Sequence, residues 1–223
     1  MTWALDHLVV AARSLDEGTA WCEAEFGITP GPGGEHRLMG THNRLLGIGS
    51  ALFPRAYLEV IAIDPRAAAP ARARWFDLDQ PALQQALAAG PALIHWVARC
   101  DAIDAEVVAL RGRGIERGEV LPAERTTPRG TLRWRISVRP DGRRLADGAL
   151  PTLIEWGSVH PADAMPASGV VLERLALKGL PAAARARLPA GVVPAFGAHT
   201  APLVATLATP RGAVRLESPG TPA

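Results

Sequence analysis

Two short apolar runs constrain this chain more than anything else in it. They are Ala4-Leu5-Asp6-His7-Leu8-Val9-Val10 and Ala92-Leu93-Ile94-His95-Trp96-Val97-Ala98. Each is rich in β-forming residues and is followed by a helix-start signal, so each reads as a strand. A strand buried on both faces has little reason to carry an imidazole unless the ring has a partner or a task. Two such strands at matching places predict a duplicated fold with a site shared between its halves.

The first unit, residues 1–64, reads β-α-β-β-β. After the first strand, Ser14 and Glu17 form a capping box for a helix that Gly27 ends. Residues 27–34 read as a loop. Two strands with a break near Gly40 are expected between His36 and Gly49, and Ala56 to Ile63 is a further strand. Residues 65–91 form a connector with a helix from Pro81 to Ala89. The second unit, residues 92–161, repeats the order. Asp101 or Asp104 is expected to cap its helix, and residues 116–130 read as polar and broken by Gly and Pro. Thr131 to Arg139 alternates cleanly, with Leu132, Trp134, Ile136 and Val138 on one face and Arg133 and Arg135 on the other. Pro151 to Trp156 is the last strand of the unit. An extension, residues 162–223, reads β-α-β-β and is expected to pack on the two modules.

Composition narrows the function. Lys plus Arg exceed Asp plus Glu by only two (24 against 22), which gives no reason to expect nucleic-acid or membrane partners. The Arg, Ala, Gly and Pro bias suggests a GC-rich bacterial gene. No run is long and apolar enough to span a bilayer, and the N-terminus lacks a signal-peptide pattern, so a cytoplasmic setting is expected. The two cysteines, Cys22 and Cys100, have no ligand spacing and read as small buried hydrophobes.

Aligning the units places His7 against His95. Aligning their last strands by the Leu-Glu and Ile-Glu pairs places Glu59 against Glu155. A carboxylate inside an apolar strand is costly unless paired or metal-bound. Imidazole and carboxylate together suit Zn, Ni, Co, Mn or Fe(II). All four residues would leave two octahedral positions open for a substrate. A set of His7, His95 and Glu155 without Glu59 would be a two-histidine, one-carboxylate triad. Inheritance by both copies from one ancestor would explain the recurrence without any metal.

The residues Leu5-Asp6-His7-Leu8-Val9-Val10, Met39-Gly40-Thr41-His42-Asn43-Arg44-Leu45-Leu46 and Tyr57-Leu58-Glu59-Val60-Ile61 form an ordered set. Leu132-Arg133-Trp134-Arg135-Ile136, Leu153-Ile154-Glu155-Trp156 and His160-Pro161 continue it. In this set the chain resembles the vicinal oxygen chelate superfamily and, within it, the glyoxalase-like domain proteins. The resemblance implies an α+β fold of paired βαβββ modules forming a cup-shaped mixed sheet, with a divalent metal held by His7, Glu59, His95 and Glu155. That set is similar to the one in bacterial glyoxalase I, which is shorter and builds its sites across a dimer.

Several further expectations follow for the site. Thr41, His42 and Asn43 lie on a strand expected to line the cup and to orient substrate. Arg133 and Arg135 would hold an anionic substrate if their face lines the cup, and are solvated if it does not. His160 reads as local structure. The expected protein is a metal-dependent lyase, isomerase or, with Fe(II), a dioxygenase, acting on a small oxygen-bearing molecule with Glu59 or Glu155 as base. The partners expected are a small-molecule substrate and a second copy of the chain. The alternative is a metal-free protein of the same fold that binds or sequesters a small molecule.

Overall fold

A computed structural model describes residues 3–127, 130–197 and 201–219; the extreme ends of the first unit and of the extension lie outside them. The first unit runs β1 (Ala4–Ala11), α1 (Leu15–Phe26), β2 (Gly31–His36), β3 (Thr41–Gly47) and β4 (Tyr57–Ile63). A connector carries α2 (Pro81–Ala86). The second unit runs β5 (Ala92–Arg99), α3 (Ile103–Arg111), β6 (Glu119–Thr127), β7 (Gly130–Val138) and β8 (Thr152–Trp156). The extension holds β9 (Val171–Lys178), α4 (Ala182–Arg185), β10 (Val192–Ala195), β11 (Leu203–Thr209) and β12 (Gly212–Glu217).

Local chemistry explains most boundaries. Ser14 Oγ accepts the Glu17 amide, and Gly27 closes α1 in the left-handed region at φ 74°. The expected capping box is only half formed, because the Glu17 carboxylate takes the Arg13 amide and guanidinium instead. Residues 31–34, expected as loop, already belong to β2. Residues 119–127, expected as an irregular stretch, form β6. In the extension β10 was not anticipated. It is a short edge strand that tolerates Pro194, and it runs parallel to β9.

Both units contribute to one eight-stranded mixed sheet in the order β2-β3-β4-β1-β5-β8-β7-β6. β1 and β5 run antiparallel at its centre, with Leu8 opposite Trp96, His7 opposite Val97 and Val9 opposite His95. This register is two-fold symmetric. β1 is parallel to β4 and β5 to β8, as the duplication requires. The sheet curls into a cup whose edges approach: Arg125 of β6 packs over Gly34 of β2 and reaches Asn43 of β3. The architecture is thus the α+β cup that the resemblance implies.

Alternation along the strands divides the apolar residues between two cores. The concave side buries Val9, Ala11, Ile61, Ile94, Val97, Ile136 and Ile154 against Trp75, Phe76 and Leu78 of the connector. The convex side buries Leu8, Val10, Leu58, Val60, Trp96 and Leu153 beneath α1, α3 and a second, four-stranded sheet in the order β10-β9-β11-β12. Cys22 and Cys100 are free and buried there, and burial pushes both thiols up to about 12. Among the described residues no helix is long and apolar enough to cross a membrane.

Leu172, Leu175 and Leu207 of the extension are fully buried in the same core as Leu8 and Trp96. Leu175→Ala is therefore expected to cost about 2–5 kcal/mol in urea unfolding, the range for a buried leucine. A cost below about 0.5 kcal/mol would show that the extension does not share this core.

Candidate active site

Inside the cup the first unit brings polar groups together on an apolar background. Tyr57, Glu59 and Ile61 take the concave face of β4, while Leu58 and Val60 take the convex one. His7 lies on β1 beside Tyr57 in register, and the two rings stack at 4.6 Å. The Nε2 atom of His7 stands 3.6 Å from Glu59 Oε2. Both residues are buried, at 5 % exposure. These two of the four expected ligands do converge.

Beneath them lies Asp6, fully buried. The pairing of β1 with β5 slips between Leu5 and His7, a local irregularity that lets adjacent side chains meet. Asp6 Oδ1 lies 2.7 Å from His7 Nδ1; Oδ2 accepts from Trp156 Nε1 at 3.0 Å and pairs with His160 Nε2 at 2.9 Å. His160 Nδ1 accepts the Ala162 amide, so its proton sits on Nε2 and points at Asp6. Burial alone would raise the Asp6 carboxyl. The bonds from His160 and His7 reverse that and hold it well below the usual carboxylate range. The Asp6 bond also places the His7 proton on Nδ1, which leaves the Nε2 lone pair facing Glu59.

Glu59 is held from its other side. Its Oε1 accepts from Asn43 Nδ2 at 2.6 Å and stands 3.8 Å from His36 Nε2. Asn43 Oδ1 accepts the Gly34 amide at 2.8 Å and faces Arg125 Nη1 at 3.4 Å, which fixes its amide orientation. Gly33 and Gly34 make this possible. A Cβ on Gly33 would overlap Asn43 Oδ1 at 2.1 Å, and one on Gly34 would overlap the Arg125 side chain at 2.4 Å. Burial, with Arg125 nearby, pulls His36 down to about 4 in spite of Glu59, so His36 is neutral at pH 7. Burial and the Asp6 and Glu59 carboxylates push the Tyr57 phenol well up, so it keeps its proton.

The second unit does not mirror this chemistry. Val9 sits beside Glu59 in register, and Val97, its symmetry mate, sits beside Thr152. Thr152 therefore holds the place that Glu59 holds in the first unit. Glu155 lies three residues further on. Three is odd, so its side chain leaves by the opposite face of the strand. There Glu155 Oε2 accepts the Ile103 amide at 2.8 Å and caps α3, the task expected of Asp101 or Asp104. Its Oε1 faces Arg135 at 3.4 Å. Glu155 is thus placed away from the cup and away from His7.

His95 does lie inside the cup, at 1 % exposure, but its nitrogens are taken. Nδ1 pairs with the Gly148 carbonyl at 2.8 Å, and Nε2 accepts the Thr152 amide at 3.1 Å. Burial lowers its pKa well below the ordinary value, and the Arg117 and Arg144 charges lower it further. Arg117 is itself buried, donates to Thr152 Oγ1, forms no ion pair among the described residues, and is pushed down to about 9.

The remaining expectations divide by strand parity. Asn43 and Thr41 face the cup, where Thr41 Oγ1 meets His36 Nδ1 at 3.0 Å. His42 takes the other face, 3.9 Å from Asp64. Arg133 and Arg135 also face outward, pairing with Glu124 and Asp104, because the apolar face of β7 is the one that lines the cup. Asp6, His36, Tyr57, Arg125 and His160 were not anticipated as site residues. The signal for Asp6 was available: a carboxylate in an apolar strand, the same reasoning applied to Glu59.

The metal centre implied by the resemblance does not fit these residues. The place expected for Glu155 is taken by Thr152, Glu155 itself faces α3, and the His95 lone pair is spent on a backbone amide. A divalent cation beside His95 would also meet the charges of Arg117 and Arg144. Among the described residues, no group of three or more His, Cys, Asp or Glu side chains is arranged to hold a metal ion.

Two outcomes test this layout. Glu155→Ala is expected to lower stability by about 0.5–2 kcal/mol through loss of the α3 cap while leaving ligand binding in the cup unchanged, as read by denaturation and calorimetry. Loss of binding at full stability would place Glu155 in the site. For His36, the unfolded imidazole titrates near ~6.5 and the folded one at about 4. Between those values the unfolded chain binds a proton that the folded chain refuses. Stability is then complete above the upper value and falls as pH drops toward the lower. His36→Gln is expected to flatten that slope in a pH series of unfolding curves; an unchanged slope would mean that His36 is charged when folded.

The glyoxalase-like domain family model matches residues 5–193. Among solved structures, a hypothetical protein from Staphylococcus aureus aligns over 98% of this chain and 87% of its own, at 14% identity and a TM-score of 0.57. Methylmalonyl-CoA epimerase of Streptomyces coelicolor aligns over 72% of this chain and 99% of its own, at 19% identity and a TM-score of 0.44. The Mycobacterium tuberculosis epimerase gives 18% identity, 69% and 86% coverage and a TM-score of 0.38. No curated protein matches. The first of these likenesses bears on fold alone, and the epimerase likenesses are too distant to bear on chemistry. With the family match spanning most of its length and the cup built as described, the chain belongs to the glyoxalase-like domain family.

Proposed function

We propose that this protein is an enzyme of the lyase or isomerase type that moves a proton on a small oxygen-bearing molecule, with Glu59 as the base. The observation that carries this reading is the buried line from Asp6 through His7 to Glu59. Glu59 Oε1 is tied to Asn43, which leaves Oε2 as the oxygen free to accept a proton. A substrate carbon next to a carbonyl would lose its proton to Oε2, and its electron pair would move onto the carbonyl oxygen. The guanidinium of Arg125, which lines the same cavity, would stabilise the charge that develops there. His7 Nε2 stands where it can take the proton from Glu59. Asp6 would stabilise the imidazolium that results. Return of the proton to a different atom gives isomerisation. Departure of a group from the neighbouring carbon gives elimination.

The cavity at this point is small, about 40 Å³, and walled by His36, Trp75, Phe76, Trp134 and Trp156. Such walls exclude water and strengthen the electrostatics inside. This reading assigns no step to a metal. The divalent-metal form of the reaction, with Zn, Ni, Co, Mn or Fe(II), would have to rely on donors from the first unit alone.

Proton abstraction can be assayed without knowing the natural substrate. A panel of carboxylic, 2-oxo and 2-hydroxy acids in deuterium oxide is expected to include members that gain deuterium beside the carbonyl, detected by NMR. Glu59→Gln is expected to slow that exchange by about 10²–10⁴-fold, and added divalent metals should leave it unchanged. Exchange that appears only on metal loading would restore the chelate reading. Saturable binding with no exchange in any member would leave a metal-free binding protein.

A further inference from the structure

A second cavity adjoins the buried site. Leu45, Arg125 and Pro161 line both. The outer cavity is much larger, about 590 Å³, within the ordinary range for a small-molecule pocket. It lies between the end of β3, the hairpin of β6 and β7, and the segment 159–168 that follows β8. Its walls are mostly apolar, with Ile28, Leu46, Leu132, Val159 and Met165 among them. Leu46 and Leu132 are themselves buried. The charge at its inner end is Arg125, whose guanidinium crosses the gap between the sheet edges and packs over Gly34. Among the described residues, the Arg125 Nε atom is buried without a hydrogen-bond partner. A cation left partly desolvated and incompletely bonded at the neck between a polar pocket and an apolar one favours an anion there.

We infer that the molecule served by this site is an amphiphilic monocarboxylate: its acidic, oxygen-bearing head lies between Arg125 and Glu59, and an extended apolar body fills the outer cavity. This rests on the proposed function for the location of the reacting head and adds the class of the substrate. A small polar metabolite would leave the outer walls wet, whereas an alkyl or ring-bearing body would bury them. Carboxylate rather than phosphate suits the neck, since Arg125 is the only arginine or lysine among the described residues lining either cavity and Glu59 stands on the far side.

Calorimetric binding of acetate, hexanoate and decanoate, with the matching primary alcohols, tests this on the intact protein. Affinity is expected to rise from hexanoate to decanoate by about fourfold for each methylene covered, the equivalent of ~0.8 kcal/mol per buried CH₂. Acids should bind better than alcohols, and Arg125→Met should remove that preference while keeping the length dependence. Ala167→Trp, on the exposed rim of the outer cavity, should flatten the length series and leave the acid preference. Thr131→Trp, on the opposite wall, serves the same purpose should the first variant misfold. A flat series in the wild type, or alcohols binding as well as acids, would overturn the inference. Failure of the exchange assay with the series intact counts against the proposed chemistry alone.

Discussion

One fully buried carboxylate organises the concave side of this protein. Removing an ion from water costs several kcal/mol unless nearly all its hydration is replaced. Asp6 meets that demand with His7 on one oxygen and with Trp156 and His160 on the other, while Arg99 stands 3.9 Å away. These partners come from β1, β5, the end of β8 and the segment beyond it. The same interaction thus ties the second unit to the first and selects the His7 tautomer. Breaking any one bond leaves a charge that the interior cannot solvate, so the geometry is held as a set.

The fold was legible because its signals are periodic and local. Short apolar runs rich in β-formers marked β4 and β8, clean alternation marked β7, and a serine cap and a left-handed glycine marked α1. The strands that escaped, β2 and β6, lie at the two edges of the sheet. There Gly, Pro and charged residues are tolerated because only one neighbour must be paired. The His7–Glu59 pair was legible for a different reason: polar side chains inside apolar strands are rare enough to stand out.

The second half of the site misled for a reason rooted in β geometry. Leu58-Glu59 and Ile154-Glu155 look alike, but the loops of the second unit differ in length and no sequence rule counts them. An error of three residues turns a strand over. Glu155 then passes from a ligand to the cap of a helix that carries no side-chain cap of its own. His36 was hidden in a Gly-rich stretch, and His160 lies outside any strand. Their roles depend on a curled sheet bringing distant segments together, which hydrophobic period cannot report.

The two halves have diverged along a clear physical line. In the first, His7 keeps an uncommitted nitrogen and Glu59 an uncommitted oxygen, both supported from behind by Asp6 and Asn43. In the second, the equivalent histidine is bonded at both nitrogens, the carboxylate position is a threonine, and two arginines supply positive charge. Such an environment stabilises a neutral imidazole and disfavours a bound cation. The polar pair lies in the first half, beside a larger apolar cavity, and the second half supplies much of the wall. On the proposed reading, a symmetric metal site would place the reacting atoms on the axis between the units, whereas this arrangement would place them off axis, where a long substrate could enter from one side.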